Sequence, residues 1–313
     1  APGPRRRRPG RRHRAPGVVT MQPRDRLRYA APADRPRHAG PNGARLIVWP
    51  VVNVETWLIE NPMPRQVLSP PTGAALQPDV PNWAWHEYGM RVGFWRFHAL
   101  FERLGIRPTL SVNGSVITHY PRVAAAARDA GWDFMGHGWF QVPTHRIENQ
   151  RGMIAQTTQA IAEFTGKPCT GWLGPGLTET PETPDLLAEH GITWTGDFVV
   201  DDLPARIATT HGEILALPYS VELNDIPVVM IQHHDETELP RRARLSAARL
   251  LAEAEASSGV KIMCIAIHPY ITGVPHRIAA LEALYAELAA DPRVAFLQGT
   301  AIADWYRASG DPA

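Results

Sequence analysis

From residue 44 onward, short apolar runs rich in β-branched residues alternate with segments of helical period, and few folds accept that alternation. The strand candidates are RLIVWPVVNV, PTLSVNG, DFMGHGW, CTGWLG, TWTGDFV, ILALPYSVEL, IMCIAIHPY and VAFLQG. Helices are predicted between them near 88–104, 120–130, 147–164, 183–190, 240–258, 276–290 and 300–308. RRARLSAARLLAEAEAS, with Leu and Ala at three- and four-residue spacing, is the clearest of these. Seven or eight such alternations over about 270 residues predict a parallel sheet, and that length suits a closed α/β barrel better than two domains. The stretch 58–86 has six prolines and little periodicity, and is predicted as an ordered loop across the barrel mouth.

Composition narrows the context. The chain has 313 residues, 44% of them hydrophobic, which suffices for a sizeable core. Its formal charge of +1 hides an asymmetry: residues 1–20 carry seven Arg and no acid, so removing them leaves −6. A run of Arg, Pro and Gly builds no core, so residues 1–40 are expected to be a disordered tail and 41–313 a single catalytic barrel domain. Met21 fits a translation start, and the tail lacks the apolar centre of a secretory signal. The mildly acidic body argues against a nucleic-acid surface there. No apolar run approaches the ~20 residues of a membrane span. Two cysteines, Cys169 and Cys264, stand far apart and read as buried small hydrophobes in a reducing, cytoplasmic compartment.

A barrel of this kind gathers its active site at the C-terminal ends of its strands. The polar residues there are Asn53 and Glu55, Asn113, His137, the Gly174–Gly176 turn, Asp197, Asp201 and Asp202, Glu222, Asn224 and Asp225, and His268. His268 closes the run IMCIAI, and His137 sits between two glycines that permit close approach of a ligand. One of Asp197, Asp201 and Asp202 is expected to orient His268 or a substrate N–H.

The segments HEYGMRVGFWRFHALFERLGIRPTLSVNGSVITHYPRVAAAARDAGWDFMGHGW, GDFVVDDLP, LALPYSVELND and IAIHPYITGVPHR together resemble the polysaccharide deacetylase superfamily. The resemblance spans roughly 41–308 and is nearest to the branch of metal-independent allantoinases and cyclic imide hydrolases. It implies a distorted (β/α) barrel of seven or eight strands, amide hydrolysis, and assembly as a homo-oligomer. Departures from the metal-dependent pattern are specific. Glu55 falls at the base position but Thr56 at a metal-ligand position. His137 falls at the first histidine of the second motif but Gln141 at its second, and Leu173 stands where an arginine would orient the base. Thr and Gln are poor ligands for Zn²⁺. His145, or His233, His234 and Asp235, could rebuild a divalent-metal site by folding inward. Asn53-Val54-Glu55 matches the allantoinase branch, whereas Thr56 and Trp57 follow in place of its second acid.

The expected function is hydrolysis of a non-peptide C–N bond in a small cyclic ureide or imide, without a metal cofactor. Glu55 is the general base and His268 the general acid, with His137 and N–H groups near Gly174–Gly176 at the oxyanion. Asn53, Trp57, Trp139, Trp172, Asp197, Asp201, Asp202 and Asn224 are the candidate substrate contacts. Two alternatives stand beside it. One is a Zn²⁺- or other metal-dependent N-deacetylase of polysaccharides or amino sugars, and the other an inactive ligand-binding barrel.

Overall fold

The computed structural model describes residues 21–310 apart from 71, 72 and 258. Among these residues nine strands form one sheet: β1 (Leu46–Val54), β2 (Thr109–Val112), β3 (Asp133–Gly136), β4 (Gly171–Trp172), β5 (Trp194–Thr195), β6 (Ala205–Thr209), β7 (Gly212–Ala216), β8 (Lys261–Ile267) and β9 (Val294–Phe296). The order is β6-β7-β5-β4-β3-β2-β1-β8, with β9 beside the first three residues of β1. All pairings are parallel except the β6–β7 hairpin, which the sequence reading did not anticipate. The chain leaving β7 returns to β8 through an isolated bridge, Asn224 to Ala266, so the sheet curls into the expected distorted barrel.

β1 is buried at all nine positions, flanked by β8 on one edge and by β9 then β2 on the other. It nevertheless contains Pro50, a residue that normally stays out of central strands because it has no N–H. The register explains the tolerance. The Val48 and Val54 carbonyls accept from Leu297 and Asn113, so alternate residues of β1, Pro50 included, face the β9/β2 edge. There β9 ends opposite Val48 and β2 begins opposite Val51, leaving Pro50 at a gap where no ladder bond is owed.

Helices cover the outside, at 94–104, 121–129, 150–165, 183–189, 238–257, 275–290 and 299–308. Two departures from expectation concern the mouth. The predicted loop 58–86 shortens, because Val80–Tyr88 forms a helix capped by the Asp79 carboxylate on the Asn82 N–H. Residues 89–93 then continue as a π-helical turn into the 94–104 helix.

Residues 21–40 do not behave as a tail, while 1–20 lie outside the described residues. The short helix Pro23–Arg26 sits on the barrel, and Leu27 bridges Ile207 on the edge strand β6. The anchor is Arg26, only 2% exposed. Its guanidinium donates twice to Asp185, at 2.9 and 2.5 Å, and once each to the Ala208 and Pro181 carbonyls. Replacing one partner of such a buried set leaves the others unsatisfied. Arg26→Met should therefore cost about 2–4 kcal/mol, read as a lower urea midpoint at unchanged slope.

Candidate active site

Glu55 lies one residue past the end of β1 and is 1% exposed. One carboxylate oxygen, Oε2, accepts from Trp57 Nε1 at 2.7 Å and from the Tyr270 hydroxyl at 3.3 Å. The other, Oε1, has no hydrogen-bond partner and stands 3.7 Å from His268 Nε2. Burial pushes the acid's pKa up, but the attraction of His268 and Arg65 and the Trp57 hydrogen bond outweigh it, leaving Glu55 below the usual carboxylate range. The arrangement is a buried, ionised carboxylate with one oxygen clamped and one free.

His268 follows β8 directly and is held by Asp225. Its ring donates from Nδ1 to Asp225 Oδ1 at 2.6 Å, and its backbone N–H donates to Oδ2 at 2.7 Å. The Thr272 hydroxyl donates to the same Oδ2 at 2.6 Å. Nε2 is thereby left toward Glu55. Asp225 reaches this position because Asn224, bridged to β8, carries it to the sheet's edge, where the helical segment Ile226–Ile231 begins. The turn after His268 is pressed against the π-helical segment: a methyl group on Gly93 would sit 2.1 Å from the Pro269 carbonyl oxygen, and one on Gly89 2.5 Å from the Tyr270 nitrogen. Only glycine lets that helix lie on the HPY turn.

His137 ends β3, and its Nδ1 lies 2.6 Å from the Leu173 carbonyl, which can only accept. Nδ1 therefore carries the proton. Burial lowers its pKa to about 4, so the ring is neutral near pH 7 and Nε2 presents a lone pair. This corrects the expected role, because a lone pair accepts and cannot donate to an oxyanion. The Gly174 N–H is also committed, at 2.9 Å to each Asp197 oxygen.

Most residues expected to touch substrate are engaged by the protein instead. Asn53 donates to the Tyr219 hydroxyl at 3.0 Å and to the Ile267 carbonyl, and Asn224 donates to the same hydroxyl while accepting from the Ile226 N–H. Trp57 is buried, stacks on His86 at 4.5 Å, and spends its N–H on Glu55. Trp172 is fully buried in the main core, its ring packed on Gly136. Trp139 is half-buried, its ring packed over Gly114. The acid cluster divides among three unrelated partners: Asp197 holds the Gly174 turn, Asp201 pairs with Arg35, and Asp202 with Lys261. None of the three orients His268; Asp225 does. Asp225 stood among the strand-end residues, but Tyr270, His86 and Arg65 were not foreseen, although Tyr270 lies two residues past His268.

The donors at the former metal positions do not compose a metal site. They are one imidazole, one carboxylate, the Thr56 hydroxyl, and the Gln141 amide, whose oxygen already accepts from Asn113. Among the described residues no three His, Cys, Asp or Glu side chains gather to hold an ion, and His145, His233, His234 and Asp235 are exposed.

Comparison with known proteins agrees with this architecture. The polysaccharide deacetylase family pattern matches residues 85–195. The structure of the PuuE allantoinase superimposes with a TM-score of 0.79 at 24% identity, covering 92% of this chain and 98% of that one. A Pseudomonas aeruginosa PAO1 structure, named for polysaccharide deacetylase, gives 0.77 at 24% identity, over 87% and 95%. A Schizosaccharomyces pombe protein whose name assigns it to polysaccharide deacetylase is 24% identical over 215 residues, 63% of this chain and 67% of that protein. The structural likenesses speak for the fold.

His86 supplies a stability test. It is fully buried, donates from Nε2 to the Glu55 carbonyl at 3.0 Å, and burial lowers its pKa from 6.5 to about 4. A neutral buried histidine contributes stability that is complete above its unfolded pKa and is lost as pH falls from 6.5 toward 4, because the unfolded chain binds the proton first. Between pH 7.5 and 4.5 that loss is about 2 kcal/mol. His86→Gln, which keeps a donor, should start less stable than the wild type at pH 7.5 and narrow the gap by that amount at pH 4.5 in urea titrations.

Proposed function

We propose that this chain, which carries a polysaccharide deacetylase domain at residues 85–195 on the barrel of that superfamily, hydrolyses the amide bond of a small cyclic ureide or imide. The family and the allantoinase-like barrel together indicate a hydrolase acting on carbon–nitrogen bonds other than peptide bonds. The observation that carries the finer reading is the free Oε1 of Glu55, 3.7 Å from the Nε2 of a histidine locked by Asp225.

A water held at Oε1 gives one proton to Glu55 as its oxygen bonds to the carbonyl carbon. The carbonyl π pair moves to oxygen, then returns as the C–N bond breaks. His268, protonated on both ring nitrogens, delivers the Nε2 proton to the departing nitrogen. Asp225, which accepts the Nδ1–H, stabilises that cationic ring, and the proton taken up by Glu55 can then be returned to Nε2 across 3.7 Å. The lone pair of His137 Nε2 accepts the water's second O–H and aims the attacking oxygen. The donors at the old ligand positions do not fit a divalent ion, so we assign water activation to Glu55 alone. A ring carbonyl whose nitrogen shares its lone pair with a second carbonyl, as in imides and hydantoins, asks less polarisation than the N-acetyl group of a sugar. That difference favours the small-ring substrate.

Two features bear on context. Cys169 and Cys264 are buried free thiols, which suits a cytoplasmic protein. The exposed Val199, Val200, Val221 and Leu245 lie at or near a groove of about 400 Å³ beside helix 238–257, an apolar face that suits a homo-oligomer.

A screen of allantoin, hydantoin, succinimide-type imides and N-acetylglucosamine oligomers should show turnover of a ring amide that survives dialysis against a strong chelator. Glu55→Gln should lose at least ~10³-fold in kcat and Asp225→Asn ~10²- to 10⁴-fold, both with native circular dichroism. Turnover restricted to the N-acetyl sugars and restored by Zn²⁺ after chelation would overturn the reading.

A further inference from the structure

The two proton-handling groups of the proposed reaction stand apart. Glu55 Oε1 lies 3.7 Å from His268 Nε2, beyond the roughly 2.7–3.2 Å of a hydrogen bond, and has no other partner among the described residues. When His268 carries protons on both ring nitrogens, as proton delivery requires, its Nε2–H and the carboxylate attract, and a charge-assisted bond between them is stronger than an ordinary one. A closed pair would commit Oε1 to His268 and leave the base no oxygen for water. Something must keep the gap open.

Each group is held from behind. Asp225 takes the Nδ1–H of His268 at 2.6 Å and its backbone N–H at 2.7 Å. Glu55 is held by Oε2, to which Trp57 Nε1 donates at 2.7 Å and the Tyr270 hydroxyl at 3.3 Å. The shorter of these bonds comes from the more confined ring. Trp57 is 3% exposed, lies 4.5 Å from His86 at an interplanar angle of 18°, and meets Tyr270 edge-on at 5.0 Å and Trp85 at 6.3 Å. Its own carbonyl accepts from Trp83 Nε1 at 3.2 Å. His86, on which the indole stacks, donates to the Glu55 carbonyl at 3.0 Å. One stacked pair of rings therefore grips Glu55 at both its backbone and its carboxylate. Tyr270, by contrast, rides on the same turn as His268 and would move with that histidine rather than resist it.

Building on the hydrolase reading, we propose that Trp57 is a positioning residue that holds the Glu55 carboxylate back from His268 and so keeps Oε1 open to water. It exchanges no proton and acts on the reaction through Glu55. The tryptophan that the sequence offered as a substrate contact is thereby assigned to the base.

The test removes the indole N–H alone, with a benzothienyl side chain at position 57, and compares that protein with Trp57→Phe, Tyr270→Phe and the wild type. In crystals at about pH 5.5, where an ordinary histidine is charged, the wild type should keep its 3.7 Å gap. Both changes at 57 should bring Oε1 within hydrogen-bond distance of Nε2. On the best ring amide of the screen both should lose ~10²-fold in kcat with KM changed only a few-fold, because a misplacement of about 1 Å at the reacting groups costs that much. Tyr270→Phe should lose no more than a few-fold. In the Glu55→Gln background the change at 57 should cost nothing further, since the carboxylate it acts on is gone. An unchanged gap without the N–H, full kcat, a loss confined to KM, a larger loss in Tyr270→Phe, or an undiminished loss in the Glu55→Gln background would each overturn the assignment. The benzothienyl protein keeps the stacked rings, so it carries the test even where Trp57→Phe does not fold. A wild type that hydrolyses nothing sinks the hydrolase reading, and the crystallographic distance then decides this inference by itself.

Discussion

The organisation of this molecule depends on keeping one carboxylate ionised where water is nearly absent. A buried carboxylate ordinarily takes up a proton, because burial penalises its charge. Glu55 avoids this through contributions from separate parts of the chain: Trp57 two residues on, His268 after β8, and Arg65 in the loop that follows β1. Trp57 Nε1 stands 2.7 Å and His268 Nε2 3.7 Å from the carboxylate, and a curled parallel sheet brings such groups together because its strands end on the same rim. The packing follows from the same demand: β1, which leads directly into Glu55, is buried at all nine positions, with β8 on one edge and β9 and β2 on the other.

The support is layered. Asp225 does not touch Glu55, yet through three hydrogen bonds it sets the His268 ring and the backbone of the turn that also carries Tyr270, a donor to Glu55. The glycines at 89 and 93 permit the helix to press that turn into place, and the helix returns through His86 to the Glu55 carbonyl. A change at any of these positions acts on the carboxylate through another residue. Trp57 is in this class, since both its ring and its N–H face inward.

How much of this could be read in the sequence depended on whether a residue's partner was set by periodicity. Strand ends are such places, and Glu55, His137 and His268 were all legible there. Asp225 stood among the strand-end residues, but its partner did not, because its reach depends on an irregular crossing from β7 to β8 held by one bridge. Adjacency in sequence misled in the opposite direction. Asp197, Asp201 and Asp202 looked like one cluster, but the chain turns between them and each meets a different partner. Aromatic residues near strand ends misled similarly, since Trp172 packs inward against Gly136. Residues 21–40 read as an extension of the Arg-rich tail because nothing in them is periodic. Their anchoring rests on Arg26, a charge that finds Asp185 far along the chain.

Arg65 was the least legible residue, and the reason is physical. A loop without period gives no direction for its side chains, so a cation within it reads as solvated. The resemblance to deacetylases places an arginine beside the base from the third motif, where this chain has Leu173, whose carbonyl instead fixes the His137 tautomer. The exchange is chemically coherent. Thr56 and Gln141 stand where the resemblance puts metal ligands, and neither is a good ligand for a borderline cation. A neutral His137, protonated at Nδ1, keeps a lone pair at Nε2, while Glu55 keeps Oε1 unpartnered, so two acceptors of different charge are held open by residues that follow β1 and β3 directly.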